Sequence, residues 1–229
     1  MLCNPFKNLK KREWFLWLLS LVVVAASNLI TAKIEPVTLL GTLVGVTALI
    51  FLAKGDVWGQ ILTVVFSIMY AINSYKMRYY GEMITYLGMT MPIAIMSVVT
   101  WIKNPFEKGK NVVKIHKLTK TQKIMMPVLA VVVTWIFYYI LKAFNTANLF
   151  FSTISITTSF LAAYLSVYRN SYYAVAYAAN DIVLIILWIL ASMENITYLP
   201  VVICFVMFFV NDIYGFISWK KREKLQIKN

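Results

Sequence analysis

The chain has 229 residues, 61% of them hydrophobic and only 14% charged, with a mean hydropathy of +0.73. That excludes an ordinary soluble domain and reads as a polytopic membrane protein. A net charge of +13 does not imply nucleic acid, because the basic residues sort by topology. Cys3, Cys204 and the single histidine, His116, supply neither a disulfide framework nor a metal cluster.

At roughly 17 to 25 apolar residues per crossing, eight helices are predicted. They run Trp14 to Ala32, Pro36 to Ala53, Val57 to Asn73, Glu82 to Ile102, Met125 to Leu141, Leu149 to Val167, Tyr172 to Ala191 and Tyr198 to Ser218. Lys7, Lys10, Lys11 and Arg12 resemble the basic start of a signal peptide. No small-residue cleavage site follows them, so this is expected to be a retained cytoplasmic end. With that end inside, 18 of the 22 Lys and Arg fall on inner segments, leaving Lys33, Lys76, Arg78 and Lys142 outside. That asymmetry puts both termini in the cytoplasm.

The basic connector divides the chain. Tyr80 precedes Trp101 by 21 positions, and Tyr198 precedes Trp219 by the same 21. Two helical triplets in one orientation need an odd number of crossings between them. The expected organisation is a basic segment and extra helix (1–35), a first three-helix bundle (36–102) and the connector (103–124). A linking helix (125–148), a second bundle (149–219) and a cytoplasmic tail (220–229) follow. His116, in the connector, is expected to be a solvated surface residue.

Polar positions inside the spans mark the candidate site. In the third helix Gln60, Thr63, Ser67, Tyr70 and Ser74 share one face, and in the sixth Ser152, Ser155, Ser159, Ala162 and Ser166 do the same. Each stripe either lines a cavity or lets helices approach and hydrogen-bond; Gly41-x-x-x-Gly45 is a packing feature, and Pro92 bends the fourth helix. The last two helices each carry an Asn-Asp pair, Asn180-Asp181 and Asn211-Asp212. A buried membrane carboxylate costs at least ~2.5 to 3.5 kcal/mol and usually faces a bundle interior or wet cavity. The two lie at depths of ~13 and ~9 Å from the inner face. Tyr173, Tyr177, Asn180, Leu184 and Trp188 draw a face that can stack a flat ring and hydrogen-bond its edge. Asn211, Tyr214, Gly215 and Ser218 make a polar face on the eighth helix, with Asp212 about 100° round from it. The alternative is that the Asn-Asp pairs only lock these helices together. An aspartyl protease is set aside for want of Gly-x-Gly-Asp and Tyr-Asp motifs. With no phosphate loop, zinc spacing or nucleophile elbow, neither an enzyme nor a cofactor is expected.

Tyr172-Tyr173, Tyr177-Ala178-Ala179-Asn180-Asp181-Ile182-Val183-Leu184 and Leu187-Trp188 resemble the PnuC family of bacterial nicotinamide riboside transporters. Val210-Asn211-Asp212-Ile213-Tyr214-Gly215-Phe216 with Trp219, and Ser74-Tyr75-Lys76 leading to Tyr80-Gly81-Glu82-Met83, fit the same resemblance. It spans most of Leu39 to Arg222. The resemblance implies a 3+1+3 core related to the SWEET sugar transporters, preceded by an extra helix, in a homotrimer in the bacterial inner membrane. It implies passive uptake of a pyridine nucleoside trapped by cytosolic phosphorylation, and candidate binding roles for Asn180, Trp188 and Asn211. Gln60 and Tyr70 join these from spacing, and Tyr177, Asp181 and Tyr214 complete the candidate set. The chain lacks the Pro-Gln dipeptide of the sugar branch. Thiamine or a deoxynucleoside are alternative cargoes, and a non-transporting assembly or sensor subunit is the rival class.

Overall fold

The computed structural model describes residues 3–29, 36–76, 79–107 and 110–228. Among these, eight helices are long and apolar enough to cross a bilayer. They are α1 (Lys11–Leu29), α2 (Pro36–Lys54), α3 (Val57–Lys76), α4 (Tyr80–Lys103), α5 (Lys120–Ala143), α6 (Leu149–Val167), α7 (Tyr173–Glu194) and α8 (Leu199–Lys228). The described residues form no sheet, only isolated bridges from Asp56 to Val112 and from Pro105 to Val113.

Two boundaries move for identifiable reasons. Helix α5 starts at Lys120, before the expected Met125, because Thr119 and Gln122 form a reciprocal capping box that lets the helix begin among lysines. Helix α8 runs through the expected tail to Lys228, where Lys220 pairs with Glu223 at 3.0 Å one turn on. The expected end of the first helix at Ala32, and the outer cations Lys33 and Arg78, lie outside the described residues.

Within each half of the chain, α3 packs on α2 and α4, and α7 packs on α6 and α8. Across the halves α2 lies against α8 and α4 against α6, while α1 leans on α2 and α8. Helix α5 rests chiefly on α6 and leaves Val128, Val131, Trp135 and Tyr139 exposed. The core is aromatic and lies between the halves, where Trp101, Trp188 and Trp219 are completely buried.

The α2–α3 and α6–α7 turns repeat one set of bonds. Gly55 and Arg169 both take positive φ, 65° and 56°. Their N–H groups donate to Leu52 and Ser166 at 2.8 and 2.9 Å, closing the preceding helices. The next residues, Asp56 and Asn170, each accept from the N–H two positions on, at 3.0 Å. Trp219 then donates its indole N–H to Leu52 at 2.8 Å and Trp101 donates to Ser166 at 2.9 Å. The paired Tyr–Trp spacings in the sequence thus end on tryptophans with equivalent bonds.

The connector crosses both turns. Val113 donates to Gly55 at 2.9 Å and His116 to Arg169 at 3.1 Å, while Ile115 donates to Gln226 of α8 at 2.8 Å. His116 is therefore partly buried rather than freely solvated, and its ring Nε2 lies 3.2 Å from Gln122 Oε1. Burial pushes the Asp56 carboxyl above the usual carboxylate range, against the pull of the Trp58 N–H, Asn111 and the nearby Arg222 and Lys54 charges. Asn170 does the same capping work without charge. Asp56→Asn is therefore expected to leave thermal stability in detergent unchanged within about 0.5 kcal/mol, and Asp56→Ala to lower it by about 1 kcal/mol.

Candidate functional site

The middle of the bundle holds a cavity of about 60 Å³ to which α2, α3, α4, α6, α7 and α8 all contribute. Its polar floor comes from the second half: Tyr177, Asn180 and Asp181 of α7, Asp212 of α8 and Ser159 of α6. The first half contributes mostly apolar wall, including Gly45 and Phe66. A Cβ at Gly45 would come 2.5 Å from the Phe208 ring, so this glycine keeps the Phe208 edge of the cavity in place.

Asn180 is positioned by α6. Its Oδ1 accepts from the hydroxyls of Thr158 at 2.8 Å and Ser159 at 3.0 Å, which gives part of the α6 stripe its purpose. The amide nitrogen has no acceptor among the described residues, so a hydrogen-bond donor is left for whatever enters.

Asp181 and Asp212, each 3% exposed, both line this cavity, with their carboxyl groups close together. Two ionised carboxylates this close in a buried space repel, and one proton shared between them would relieve the repulsion. Asp181 Oδ2 is buried without a hydrogen-bond partner among the described residues, leaving acceptor capacity beside the cavity. Any negative charge the pair keeps sits in a wall otherwise made largely of rings, aliphatic groups and hydroxyls.

An aromatic layer covers one side. Trp188 donates its indole N–H to the Tyr70 hydroxyl at 2.8 Å, and that hydroxyl lies 3.5 Å from Glu82. Tyr79 and Tyr198 pack on Trp188 with centroids at 4.9 and 5.8 Å. Tyr70 packs at a tilt on Tyr86, ring centroids 4.2 Å apart, and Tyr86 lines the cavity. Trp188 is sealed one layer behind, and Tyr70 borders a separate crevice of about 10 Å³ with Asn73 and Val201.

Three other candidates point elsewhere. Gln60 donates to Ser166 at 2.7 Å, joining α3 to α6. Asn211 donates to Ser20 of α1 at 3.0 Å and to the Met207 carbonyl at 2.8 Å. Tyr214 donates to Glu13 of α1 at 3.0 Å. The α8 face chosen from the sequence is therefore the one covered by α1, and the cavity side falls to Asp212.

Tyr86 and Thr90 of α4 were not among the candidates. They begin and end a π-helical turn, Tyr86–Thr90, closed by Met91 N–H on the Tyr86 carbonyl. Pro92 is the available signal, since it lacks an N–H and its ring crowds the carbonyl four residues back. Widening the turn relieves both, and π-turns of this kind are frequent at functional sites.

A family profile described as nicotinamide mononucleotide transporter matches residues 35–221. A curated relative, the nicotinamide riboside transporter PnuC of Neisseria mucosa, is 25% identical over 227 residues, covering 93% of this chain and 86% of its own. The crystal structure of the vitamin B3 transporter PnuC superposes with a TM-score of 0.82 at 23% identity, over 96% of this chain and 94% of that one.

Proposed function

The chain belongs to the nicotinamide mononucleotide transporter family, and on that premise we propose that it carries nicotinamide riboside across the membrane through the cavity between its halves. It is a multi-pass membrane protein of a transporter family rather than an enzyme.

The observation that carries the substrate reading is the carboxyl pair beside the free Asn180 donor. Nicotinamide riboside combines a pyridinium cation, a carboxamide and ribose hydroxyls. With one proton shared, Asp181 and Asp212 hold a single negative charge that balances the pyridinium. Asn180 Nδ2 donates to the carboxamide or a ribose oxygen, and Tyr177 and Tyr86 offer ring faces, an arrangement worth about 0.5 to 2 kcal/mol for a cation. The same charge discriminates against a mononucleotide, whose phosphate would face the carboxyl pair in a low-dielectric space. Trp188 and Tyr70 hold the aromatic wall, and Gln60, Asn211 and Tyr214 brace the helices behind it.

The cavity is smaller than the ~300 to 1,000 Å³ typical of ligand pockets, so loading requires the halves to separate. Two triplets, α2–α4 and α6–α8, rocking about the cavity with α5 as linker would provide alternating access; the matching turns and cross-packing of α2 on α8 and α4 on α6 support this. The exposed face of α5 suits a homotrimer contact. The segment before α1, the basic connector and the end of α8 gather at one end, where Cys3 donates to Asn111 and Ile115 to Gln226; the charge asymmetry favours the cytoplasm of a bacterial inner membrane for that end. Kinases there would trap the nucleoside.

The test is uptake of labelled nicotinamide riboside into proteoliposomes, with unlabelled competitors. Unlabelled riboside is expected to compete fully, and nicotinamide mononucleotide, thiamine and deoxynucleosides at least about tenfold less well, a difference of ~1.4 kcal/mol. Stronger competition by thiamine or a deoxynucleoside would assign the cavity to that cargo instead.

A further inference from the structure

A second cavity, of about 260 Å³, opens between the beginning of α1, the end of α2 and the end of α8. Lys10, Arg12, Lys54, Lys221 and Arg222 line it against one carboxylate, Glu13. Glu13 is already engaged by Lys54 Nζ at 3.1 Å, the Tyr214 hydroxyl at 3.0 Å and the Lys10 backbone N–H at 2.6 Å. The Arg222 guanidinium is built into the wall. It packs 6.0 Å from the Trp219 ring and reaches the Ala53 carbonyl through Nη2 at 3.3 Å. It also occupies the space that a Cβ on Gly55 would take. Its Nη1 is buried with no hydrogen-bond partner among the described residues.

Cations drawn together without counterions repel, and a buried guanidinium N–H without an acceptor is costly. A tetrahedral anion with several acceptor oxygens relieves both, and guanidinium groups match phosphate geometry. Five cations on the wall outnumber Glu13 and the nearby Asp56, which favours a phosphate over a carboxylate ligand.

We propose that this cavity is a phosphate-binding site, filled by the headgroup of an anionic phospholipid or by the phosphate of a soluble compound. It is separate from the cavity between the halves and does not depend on the identity of the cargo.

Two arms on the full-length purified chain distinguish the sources. In detergent, inorganic phosphate is titrated calorimetrically at ionic strength held constant with chloride. In nanodiscs of phosphatidylcholine with or without phosphatidylglycerol, retained lipid is counted by native mass spectrometry. Arg12→Gln with Lys221→Gln removes two exposed cations while leaving the Glu13 and Arg222 contacts intact, so folding is preserved. Saturable phosphate binding weakened at least tenfold in this double variant identifies a soluble phosphate ligand. Retention of phosphatidylglycerol, without phosphate binding and reduced at least tenfold in the variant, identifies a lipid headgroup. Absence of saturable binding in both arms, or binding unchanged in the variant, overturns the proposal.

Discussion

Replacing both Asp181 and Asp212 by asparagine is expected to lower uptake of nicotinamide riboside by about 100-fold, while either single replacement changes it by only a few-fold. The asymmetry follows from the shared proton. One Asp→Asn change leaves an amide donating to a carboxylate, which keeps the contact and the single negative charge. The double change leaves two neutral amides. A unit charge about 6 Å from a cation at an effective dielectric constant near 20 contributes roughly 3 kcal/mol, or about two powers of ten. The reduced, uncharged form of the nucleoside has nearly the same shape and provides the control, since its handling by the double variant should be close to wild type. Proteoliposome uptake measures both, and single variants as defective as the double would contradict charge compensation.

Trp188→Ala is expected to cost about 3 to 5 kcal/mol of stability, read as an early thermal transition in detergent. The indole is 0% exposed, packs against Tyr79 and Tyr198 and satisfies the Tyr70 hydroxyl. Removing it opens a hole beneath the cavity wall and takes a large share of a marginal stability. Trp188→Phe keeps a ring and loses chiefly the hydrogen bond, about 1 kcal/mol. Lost uptake in Trp188→Ala is thus expected to accompany lost stability. Wild-type stability with abolished uptake would instead place this ring in the substrate's path.

The crossings were legible because each is an apolar run of bilayer length, with cations collected at one end. The start of α5 and the tail of α8 were not, since lysines suggested connector where a capping box and helix-forming residues extend the helix. On α7, the spacing that linked Tyr177 to Asn180 selected a face that does meet the cavity, and Asp181 beside it also reaches the interior. On α8 the same method favoured Asn211 over Asp212. Helical periodicity identifies residues that share a face but not the neighbour that face meets, and α1, treated as an extra, supplies Ser20 and Glu13 to that side. Trp188 illustrates a related limit: its place on the Asn180 face was readable, but its enclosure by Tyr79 and Tyr198 depends on the segments that lead into α4 and α8. The π-turn at Tyr86–Thr90 left only Pro92 as a trace.

The most direct measurement is a structure of the protein with nicotinamide riboside bound. Density is expected between the halves, with the pyridinium within about 6 Å of an aromatic ring, the carboxyl pair on its charged side and Asn180 Nδ2 bonded to the carboxamide or a ribose oxygen. Ligand bound elsewhere, with Asn180, Asp181 and Asp212 out of reach in the loaded state, would contradict it.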